Sequence, residues 1–429
     1  MYLRGPKWSM NRRRWRPNWF RLIVLSLLVL GGAYVDRFVV APRPSPFLPT
    51  PTATRDPESF VSEAQALFDA GKLLQAVEVY RQAVVIRPED PATHVALART
   101  LVFAGQYEAA QESAEDALLL DPNSSMAHAV RAWALDFLGD YLEAEAAIKR
   151  ALELDPNNGL AHAYYVEILV DSYVSGTGAF EGVERAIEES KVALALAPDS
   201  LEALRARGYI LEATANYEEA IREYQAAANI NPNVADLHLA LGRNYRALGI
   251  YDQAVEEFTR ANALNPSDPM PDLLISRTYA TVGEYAKAMQ YAETAVSDNQ
   301  TDANLRGNLG VMYYRNALWP ESVEELGLVV NGGLTGEGER VEAIPLVPDP
   351  RIAEFYFTYG LGLTRLNRCG EALQVAQMIV ARVPADELAV QNAAEIENRC
   401  RESLRITPLP AVDGTPTAPS ASAGTPTPE

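Results

Sequence analysis

Along most of the chain, hydrophobic positions recur with helical spacing in short blocks, and each block is closed by a turn residue or a proline. Residues 235–268 show the pattern best. There, Gly242 and Ala254 are small enough to let two helices approach closely, while Tyr245 and Phe258 fill the remaining space. Because proline cannot continue a helix, the proline that ends a block sets the exit to the next one. The pattern predicts pairs of helices joined by short turns.

The blocks repeat at a fixed step of 34 residues. Prolines keep this step at Pro88, Pro122 and Pro156, and again at Pro198, Pro232 and Pro266. Glycines in the turns keep it at Gly71, Gly105 and Gly139, and again at Gly249 and Gly283. A helix–turn–helix unit of 34 residues is the signature of the tetratricopeptide repeat family, which this chain resembles.

The resemblance implies an all-α fold, a right-handed superhelical solenoid of about nine repeats over residues 57–386 that ends in a capping helix at 387–405. Nine copies can be aligned, at 57–90, 91–124, 125–158, 159–200, 201–234, 235–268, 269–302, 303–331 and 353–386. Insertions near residues 171–182 and 332–352 depart from the family pattern, and the eighth copy is weak. We expect the first insertion to form a glycine-rich turn between two helices.

The N-terminal region differs in composition from the repeats. Residues 1–18 are basic, and residues 19–40 form a largely apolar run. Positive charge before such a run and little after it predicts a single-pass transmembrane signal-anchor, with the N-terminus in the cytoplasm and the repeats outside. A signal peptide cleaved near residues 31–33 is the alternative, and it would leave a secreted protein. A proline-rich linker is predicted at 41–56, and a disordered Thr/Pro-rich tail at 406–429.

Charge and the rarer residue types limit the function. The chain has 37 basic and 57 acidic residues; without the first 21 residues, which hold seven basic groups and no acid, 30 basic groups remain against 57 acids, a formal charge of −27. A body this acidic repels phosphate backbones, so we expect no nucleic acid partner. All four histidines fall at the fourth place of a repeat, where we expect them to pack rather than to act as bases or metal ligands. The sequence therefore predicts no enzyme, no metal and no cofactor.

In tetratricopeptide solenoids the first helices line a concave groove that holds a peptide or a partner helix, and the resemblance implies the same here. The groove-facing places form an early apolar zone (Val95, Val102, Phe103, Met126, Trp133 and Phe137) and a later basic zone (Arg205, Arg243, Arg246, Arg277, Arg315 and Arg365, with Tyr209 and Tyr314 among them). Arg99 is also assigned to the groove. Arginine binds carboxylates with two parallel hydrogen bonds, so the basic zone favours an acidic partner. The alternative is that Glu202, Glu212 and Asp236 neutralise these arginines within the groove.

We therefore expect a non-catalytic scaffold or adaptor at the outer face of the membrane that binds a segment of another protein in its groove. The lysine and asparagine set with which chaperone-binding members of the family clamp a carboxylate is not recognisable, since the first repeat has Val61 and Gln65. The alternative function is a glycan- or cell-wall-binding module in which Trp133, Tyr209 and Tyr314 stack on sugar rings.

The two cysteines lie near the C-terminal end of the repeats. Cys369 begins the second helix of the ninth repeat, and Cys400 lies late in the capping helix. In the antiparallel order that the repeats imply, the end of one helix lies beside the start of its predecessor, so the two thiols could form a disulfide in an oxidising compartment. Two separately packed thiols are the alternative.

Overall fold

The computed structural model of the protein describes residues 18–35, 37, 56–178 and 181–406. These fall into two compact units, divided in sequence between Asp56 and Pro57. Except for residues 18, 56 and 406 at their edges, the predicted basic segment, proline-rich linker and Thr/Pro-rich tail lie outside the described residues.

The N-terminal unit contains helix α1 (Trp19–Val35), none of whose side chains is buried. Its 17 residues rise about 26 Å. Within the described part of the chain, no helix combines the length and apolarity needed to cross a membrane. The helix is shorter than the apolar run predicted at 19–40, of which residues 36 and 38–40 are not among the described ones.

The second unit contains nine helix–turn–helix pairs within its described residues, followed by one further helix. The first helices of the pairs are α2 (Pro57–Asp69), α4 (Pro91–Phe103), α6 (Ser125–Phe137), α8 (Gly159–Val174), α10 (Leu201–Ala213), α12 (Ala235–Ala247), α14 (Met270–Thr281), α16 (Ala303–Arg315) and α18 (Pro350–Arg365). The second helices are α3 (Leu73–Ile86), α5 (Tyr107–Leu120), α7 (Tyr141–Leu154), α9 (Glu181–Leu196), α11 (Tyr217–Ile230), α13 (Tyr251–Leu264), α15 (Tyr285–Asp298), α17 (Trp319–Asn331) and α19 (Cys369–Arg382). The final helix, α20 (Glu387–Ile406), occupies the place predicted for the cap. The fold is the all-α repeat solenoid that the sequence predicts.

The turn inside each pair needs one residue with a positive φ angle. Gly105 and Gly249 supply it at φ +72° and +75°, because glycine enters this region without steric cost. In the fifth and eighth pairs the same place is held by Ala215 and Ala317, at φ 59° and 61°. These two alanines carry the strain that a side chain meets in the left-handed region.

Close approach between paired helices depends on missing side chains. A Cβ at Gly242 would overlap the ring of Phe258, and Ala254 beside it is fully buried. Gly208 and Tyr224 repeat this arrangement in the preceding pair, where an added Cβ would lie 2.8 Å from the tyrosine ring. The combination of small and aromatic residues predicted at 235–268 is therefore confirmed as the packing of the pair.

Both insertions differ in detail from the prediction. Helix α8 continues to Val174, so Asp171 lies inside a helix instead of in the predicted glycine-rich turn. The second insertion contains a short antiparallel hairpin that the sequence did not predict, β1 (Gly333–Leu334) with β2 (Arg340–Val341). Its second strand is anchored because the Val341 side chain is buried. Helix α18 then begins three residues before the aligned ninth repeat.

The solenoid winds tightly enough for early repeats to contact later ones. The Asn233 side chain, just before α12, donates a hydrogen bond to the backbone carbonyl of Asp69 at the end of α2, with an N···O distance of 2.7 Å. Arg99 on α4 forms an ion pair of 2.5 Å with Glu202 on α10. These contacts join the first two repeats to the fifth, which ends at Val234 just before α12.

Candidate functional site

Five of the six residues of the predicted early apolar zone are buried or half-buried, whereas Phe137 is exposed. Trp133 is fully buried. Its ring stacks on Tyr164 with centroids 4.4 Å apart, and its Nε1 donates a hydrogen bond of 2.7 Å to Glu167. Phe103 meets the indole edge-on at 5.1 Å, and Phe137 stacks on Tyr107 at 4.6 Å. The prediction that Trp133 faces an open groove is wrong, because the winding of the solenoid brings α8 and α10 against it.

Arg205 and Arg99 lie on these aromatic rings and are already neutralised. The Arg205 guanidinium is 5.3 Å from the Trp133 ring centroid and forms ion pairs of 3.0 Å with both Glu167 and Asp236. Burial opposes its charge, but the two carboxylates together hold the pKa of Arg205 above its ordinary value. Arg99 rests on the Phe68 ring at 5.1 Å and is paired with Glu202. The prediction that these two arginines are available to a partner is therefore wrong.

Beside Arg205 lies a group of three acids, Asp136, Glu167 and Asp171, which we call the carboxyl cluster. Asp136 and Glu167 are each more than nine-tenths buried. The Tyr209 hydroxyl donates a short hydrogen bond to Asp171, so Tyr209 is engaged inside the fold instead of exposed in the groove as predicted. Burial raises the pKa of Glu167 to about 7, although Arg205 and the Trp133 hydrogen bond act against this. Burial also raises the pKa of Asp136, and the neighbouring carboxylates of Asp171 and Glu167 raise it further.

Arg243 is the third predicted groove arginine that has an internal partner. Its Nε and one terminal nitrogen donate to the two oxygens of Glu212, at 2.8 and 3.2 Å. This bidentate pair neutralises the guanidinium, as the alternative interpretation of the sequence anticipated. Arg243 therefore does not continue a free row of cations with Arg246 and Arg277.

The next repeats are different, because four arginines converge there on one cavity. Arg246 from α12, Arg277 from α14, Arg315 from α16 and Arg351 from α18 line a cavity of about 360 Å³, which we call the arginine pocket. The acid in its lining is Glu354, 3.6 Å from Arg315. Among the described residues, no carboxylate forms an ion pair with Arg246, Arg277 or Arg351 within 4.0 Å.

The electrostatics of the arginine pocket reflect this excess of positive charge. Burial and the charges of Arg351 and Arg246 together lower the pKa of Arg277 to about 10. Burial, Arg351 and Arg243 lower the pKa of Arg246 in the same way. Lowered arginine pKa values mean that the cations repel one another in a partly desolvated place. An anion bound between them would relieve this repulsion.

The sequence interpretation missed Arg351, which lies outside the aligned ninth repeat. The signal that could have found it is the Asp349-Pro350 pair, which is typical of the start of a helix. The Asp349 carboxylate caps α18 by accepting a hydrogen bond of 2.7 Å from the Arg351 backbone N–H. Helix α18 therefore starts early enough to place Arg351 at the cavity.

The other predicted residues of the basic zone lie beside the pocket and pack on one tryptophan. Tyr314 meets Trp319 edge-on at 4.9 Å, and the Arg365 guanidinium lies 5.3 Å from the same ring. Neither residue lines the cavity. Arg315 is the member of this group that does, and it also lies 5.9 Å from the Tyr285 ring.

The four histidines share one structural role. Each ring Nε2 lies 2.9 to 3.1 Å from the carbonyl oxygen of the proline six residues earlier, as for His94 with Pro88 and His238 with Pro232. These contacts join the first turns of α4, α6, α8 and α12 to the turn before each of them. No grouping of His, Cys, Asp and Glu suited to a metal ion is found among the residues that the structure describes.

Cys369 and Cys400 are joined by a disulfide, with their Cα atoms 5.5 Å apart. The bond connects the first residue of α19 to the last third of α20, and Cys400 is fully buried. The structure thus has the disulfide, the first of the two alternatives from the sequence, and not two separately packed thiols. The cap is therefore bonded covalently to the ninth repeat.

Comparisons with known proteins agree with this architecture. Family models described as tetratricopeptide repeat match residues 67–134, 125–158, 211–269 and 235–304. Similar solved structures include a human IFIT1 dimer with PPP-AAAA, with 18% identity over 81% of this chain and 83% of that one, at a TM-score of 0.52. A tetratricopeptide repeat protein from Parabacteroides merdae has 16% identity over 64% of this chain and 99% of that one, at 0.44, and Pseudomonas aeruginosa pilF has 21% over 48% and 90%, at 0.40. Identities this low concern the fold alone. A comparison with curated proteins finds no significant match.

Proposed function

Because the chain is a tetratricopeptide repeat protein, we propose that it is a non-catalytic scaffold that holds an acidic segment of a partner protein in the arginine pocket. Repeats of this family generally mediate protein–protein interaction. The charges inside the solenoid determine which segment is held and where it binds.

The observation that carries the proposal is the excess of arginine over acid at one place on a strongly acidic protein. Three guanidiniums in the pocket have no carboxylate partner within 4.0 Å among the described residues, whereas the body has a formal charge of −27. Retaining unpaired cations in a partly buried cavity costs stability, as the lowered pKa of Arg277 indicates. A ligand with carboxylates would form charge-assisted hydrogen bonds with these arginines and offset that cost.

The glycan-binding alternative loses its main platform. Sugar stacking needs an exposed aromatic face, and Trp133 has none. Tyr209 is held by Asp171, and Tyr314 packs on Trp319. The three aromatic residues also do not share one surface, since Trp133 contacts Tyr164 inside the solenoid whereas Tyr314 lies beside the arginine pocket's repeats.

The proposal includes attachment to a membrane through the N-terminal apolar run, with the repeats outside. It is supported by the exposed apolar side chains of α1 and by the basic residues that precede them in the sequence. Under this proposal the full-length protein stays with membranes after an alkaline wash, and external protease removes the repeats. A mature N-terminus at Tyr34 would instead indicate a cleaved, secreted protein.

The pocket is tested by binding of a fluorescent hexaglutamate peptide to the full-length protein in detergent micelles. The variant Arg246→Gln/Arg277→Gln/Arg351→Gln should bind at least about thirtyfold more weakly, because each lost guanidinium removes a desolvated contact with a carboxylate. Wild-type affinity should fall steeply with salt, and the variant should lose most of that dependence.

A charge-matched control uses three arginines on second helices, away from the pocket. Arg150→Gln/Arg222→Gln/Arg260→Gln removes the same net charge from exposed side chains, so it should bind the peptide nearly as the wild type does. Equal weakening in both triple variants would show that only the overall charge matters, and it would refute the pocket.

A further inference from the structure

The carboxyl cluster is not used by the proposed function, yet it joins three consecutive first helices. Asp136 comes from α6, Glu167 and Asp171 come from α8, and the groups that bind them come mainly from α10. Neither oxygen of the Asp136 carboxyl receives a hydrogen bond from a donor among the described residues, and Glu167 Oε1 also lacks one. A buried carboxylate without donors is unfavourable.

The cations near the carboxyl cluster are too few to neutralise the negative charge of its three carboxyl groups. The charged and titratable groups that face it from α4, α10 and α12 are Arg99, Glu202, Arg205, Tyr209, Asp236 and Arg243. Arg99 is paired with Glu202 and Arg243 with Glu212, which leaves Arg205. Arg205 already divides its charge between Glu167 and Asp236. The remaining neighbour from α8 is the buried Tyr164 hydroxyl, which is neutral at ordinary pH.

Asp136 is buried and Asp171 half-buried, and two adjacent carboxyls in such a place with no cation of their own cannot both ionise at ordinary cost. Asp136 lies against Asp171, whose carboxylate already accepts a hydrogen bond from the Tyr209 hydroxyl. Asp171 is therefore the better place for a negative charge, and an Asp136 carboxyl that keeps its proton can donate it to Asp171. The arrangement resembles other pairs of carboxyl groups that share one proton.

We propose that this buried proton between Asp136 and Asp171 acts as a pH-sensitive latch that keeps α6, α8 and α10 packed, so that the early half of the solenoid loosens as the pH rises. The same three helices carry the Trp133–Glu167, Arg205–Glu167 and Tyr209–Asp171 contacts. Loss of the proton places two negative charges among these contacts and weakens all of them together.

The direction of the effect follows from the protonation states. In the folded protein Glu167 has a pKa of about 7 and Asp136 a pKa well above its ordinary value, both because of burial first. In the unfolded chain both groups ionise near pH 4. The folded state therefore binds more protons above about pH 4, and stability falls as the pH rises through the folded pKa values. The latch is complete in acid and is lost toward alkaline pH.

Hydrogen–deuterium exchange of the full-length protein between pH 5 and pH 9 tests the latch, after correction for intrinsic exchange rates. Protection in peptides from α6, α8 and α10 should fall with pH, by up to about tenfold per pH unit for each proton released. In Asp136→Asn, the side-chain amide can donate to Asp171 at any pH. Protection should match the wild type at pH 5 and exceed it at pH 9, with a shallower slope.

The exposed Asp199→Asn, in the turn before α10, is the matched control and should keep the wild-type slope. Because Asp136→Asn removes a core group, a second measurement on the wild type guards against misfolding of the variant. Infrared spectroscopy at pH 7, where exposed carboxyls are ionised, should retain a protonated-carboxyl band. Protection that is independent of pH in the wild type, the absence of that band, or an unchanged slope in Asp136→Asn would each overturn the proposal.

Discussion

The two halves of the solenoid's inner face are built from the same repeat but treat arginine in opposite ways. In the early half Arg205 and Arg243 each have an acid partner from a neighbouring repeat. In the later half Arg246 and Arg277 have no such partner among the described residues and line a cavity. The place of an arginine in a repeat therefore does not decide whether it is paired inside the fold or free to bind a ligand. The residue 31 positions earlier does, which is Glu212 for Arg243 and Arg246 for Arg277.

One substitution in the repeat pattern accounts for the contrast. Arg243 and Arg277 are 34 residues apart and occupy equivalent places. The partner of Arg243 is Glu212, and the residue 34 positions after Glu212 is Arg246. Where the fifth repeat has an acid, the sixth has a second cation. The row of groove-facing arginines therefore changes from neutralised to cationic along α12, which carries both Arg243 and Arg246.

The largest effect is expected from Trp133→Ala, which tests that the early half is core. Removal of a fully buried indole that stacks on Tyr164 should destabilise this half by about 4 kcal/mol. Exchange of amides in α6 and α8 should accelerate strongly, while the arginine pocket's helices change little. Unchanged amide protection in the variant would show that Trp133 lies on the surface and is not part of the core.

Removal of the disulfide should act on the opposite end of the unit. Cys369→Ser/Cys400→Ser opens a loop with a sequence separation of 31 residues and should destabilise α19 and α20 by about 3.7 kcal/mol in the chain-entropy model. Thermal unfolding of the double variant, beside wild type with and without reductant, measures the loss. If reductant leaves the wild-type transition in place, the bond does not stabilise the cap.

Arg246→Glu gives the later half the acid that neutralises an arginine in the early half. The new carboxylate occupies the place equivalent to Glu212, so it should pair with Arg277 as Glu212 pairs with Arg243. Hexaglutamate binding should weaken by about 2 kcal/mol, or thirtyfold, while circular dichroism stays the same. Arg222→Glu, on the exposed face of α11, is the control. Retained affinity in Arg246→Glu would contradict the comparison between the halves.

The smallest effect concerns the turns. Ala317 sits in the left-handed region at φ 61° in the later half, where Gly105 and Gly249 serve the early and middle repeats. Ala317→Gly should stabilise the protein by about 0.5 kcal/mol, since the relief of strain exceeds the added entropy of the unfolded chain. Denaturant titration measures the shift. A loss of stability would mean that the alanine is not strained.

Much of the fold could be predicted because it depends on local repetition. The prolines and glycines at a step of 34 residues defined the helix pairs, and Gly242 with Phe258 indicated their packing. The candidate site was harder, since it depends on contacts between distant repeats. Arg99 pairs with Glu202 across 103 positions, a separation set by the winding of the solenoid and not by any local pattern.

The sequence did not predict two features of the site, the position of Arg351 and the burial of Trp133, and the reasons differ. Arg351 was missed because an insertion shifted the phase of the ninth repeat, although Asp349-Pro350 marked the start of its helix. The burial of Trp133 could not be inferred from its place in the repeat, because the same place holds the partly exposed Arg243 three repeats later. Burial of a side chain at this place depends on which helices of later repeats the winding of the solenoid packs against it.

The most direct test of the central claim compares the two halves in the living cell by site-specific photo-cross-linking. One cross-linking residue replaces Thr281, which is exposed at the rim of the arginine pocket, and another replaces Phe137 in the early half. We expect position 281 to capture a partner peptide rich in Asp and Glu, Arg246→Glu to abolish this capture, and position 137 to capture no partner. Capture of a partner at position 137, with nothing acidic at 281, would contradict it.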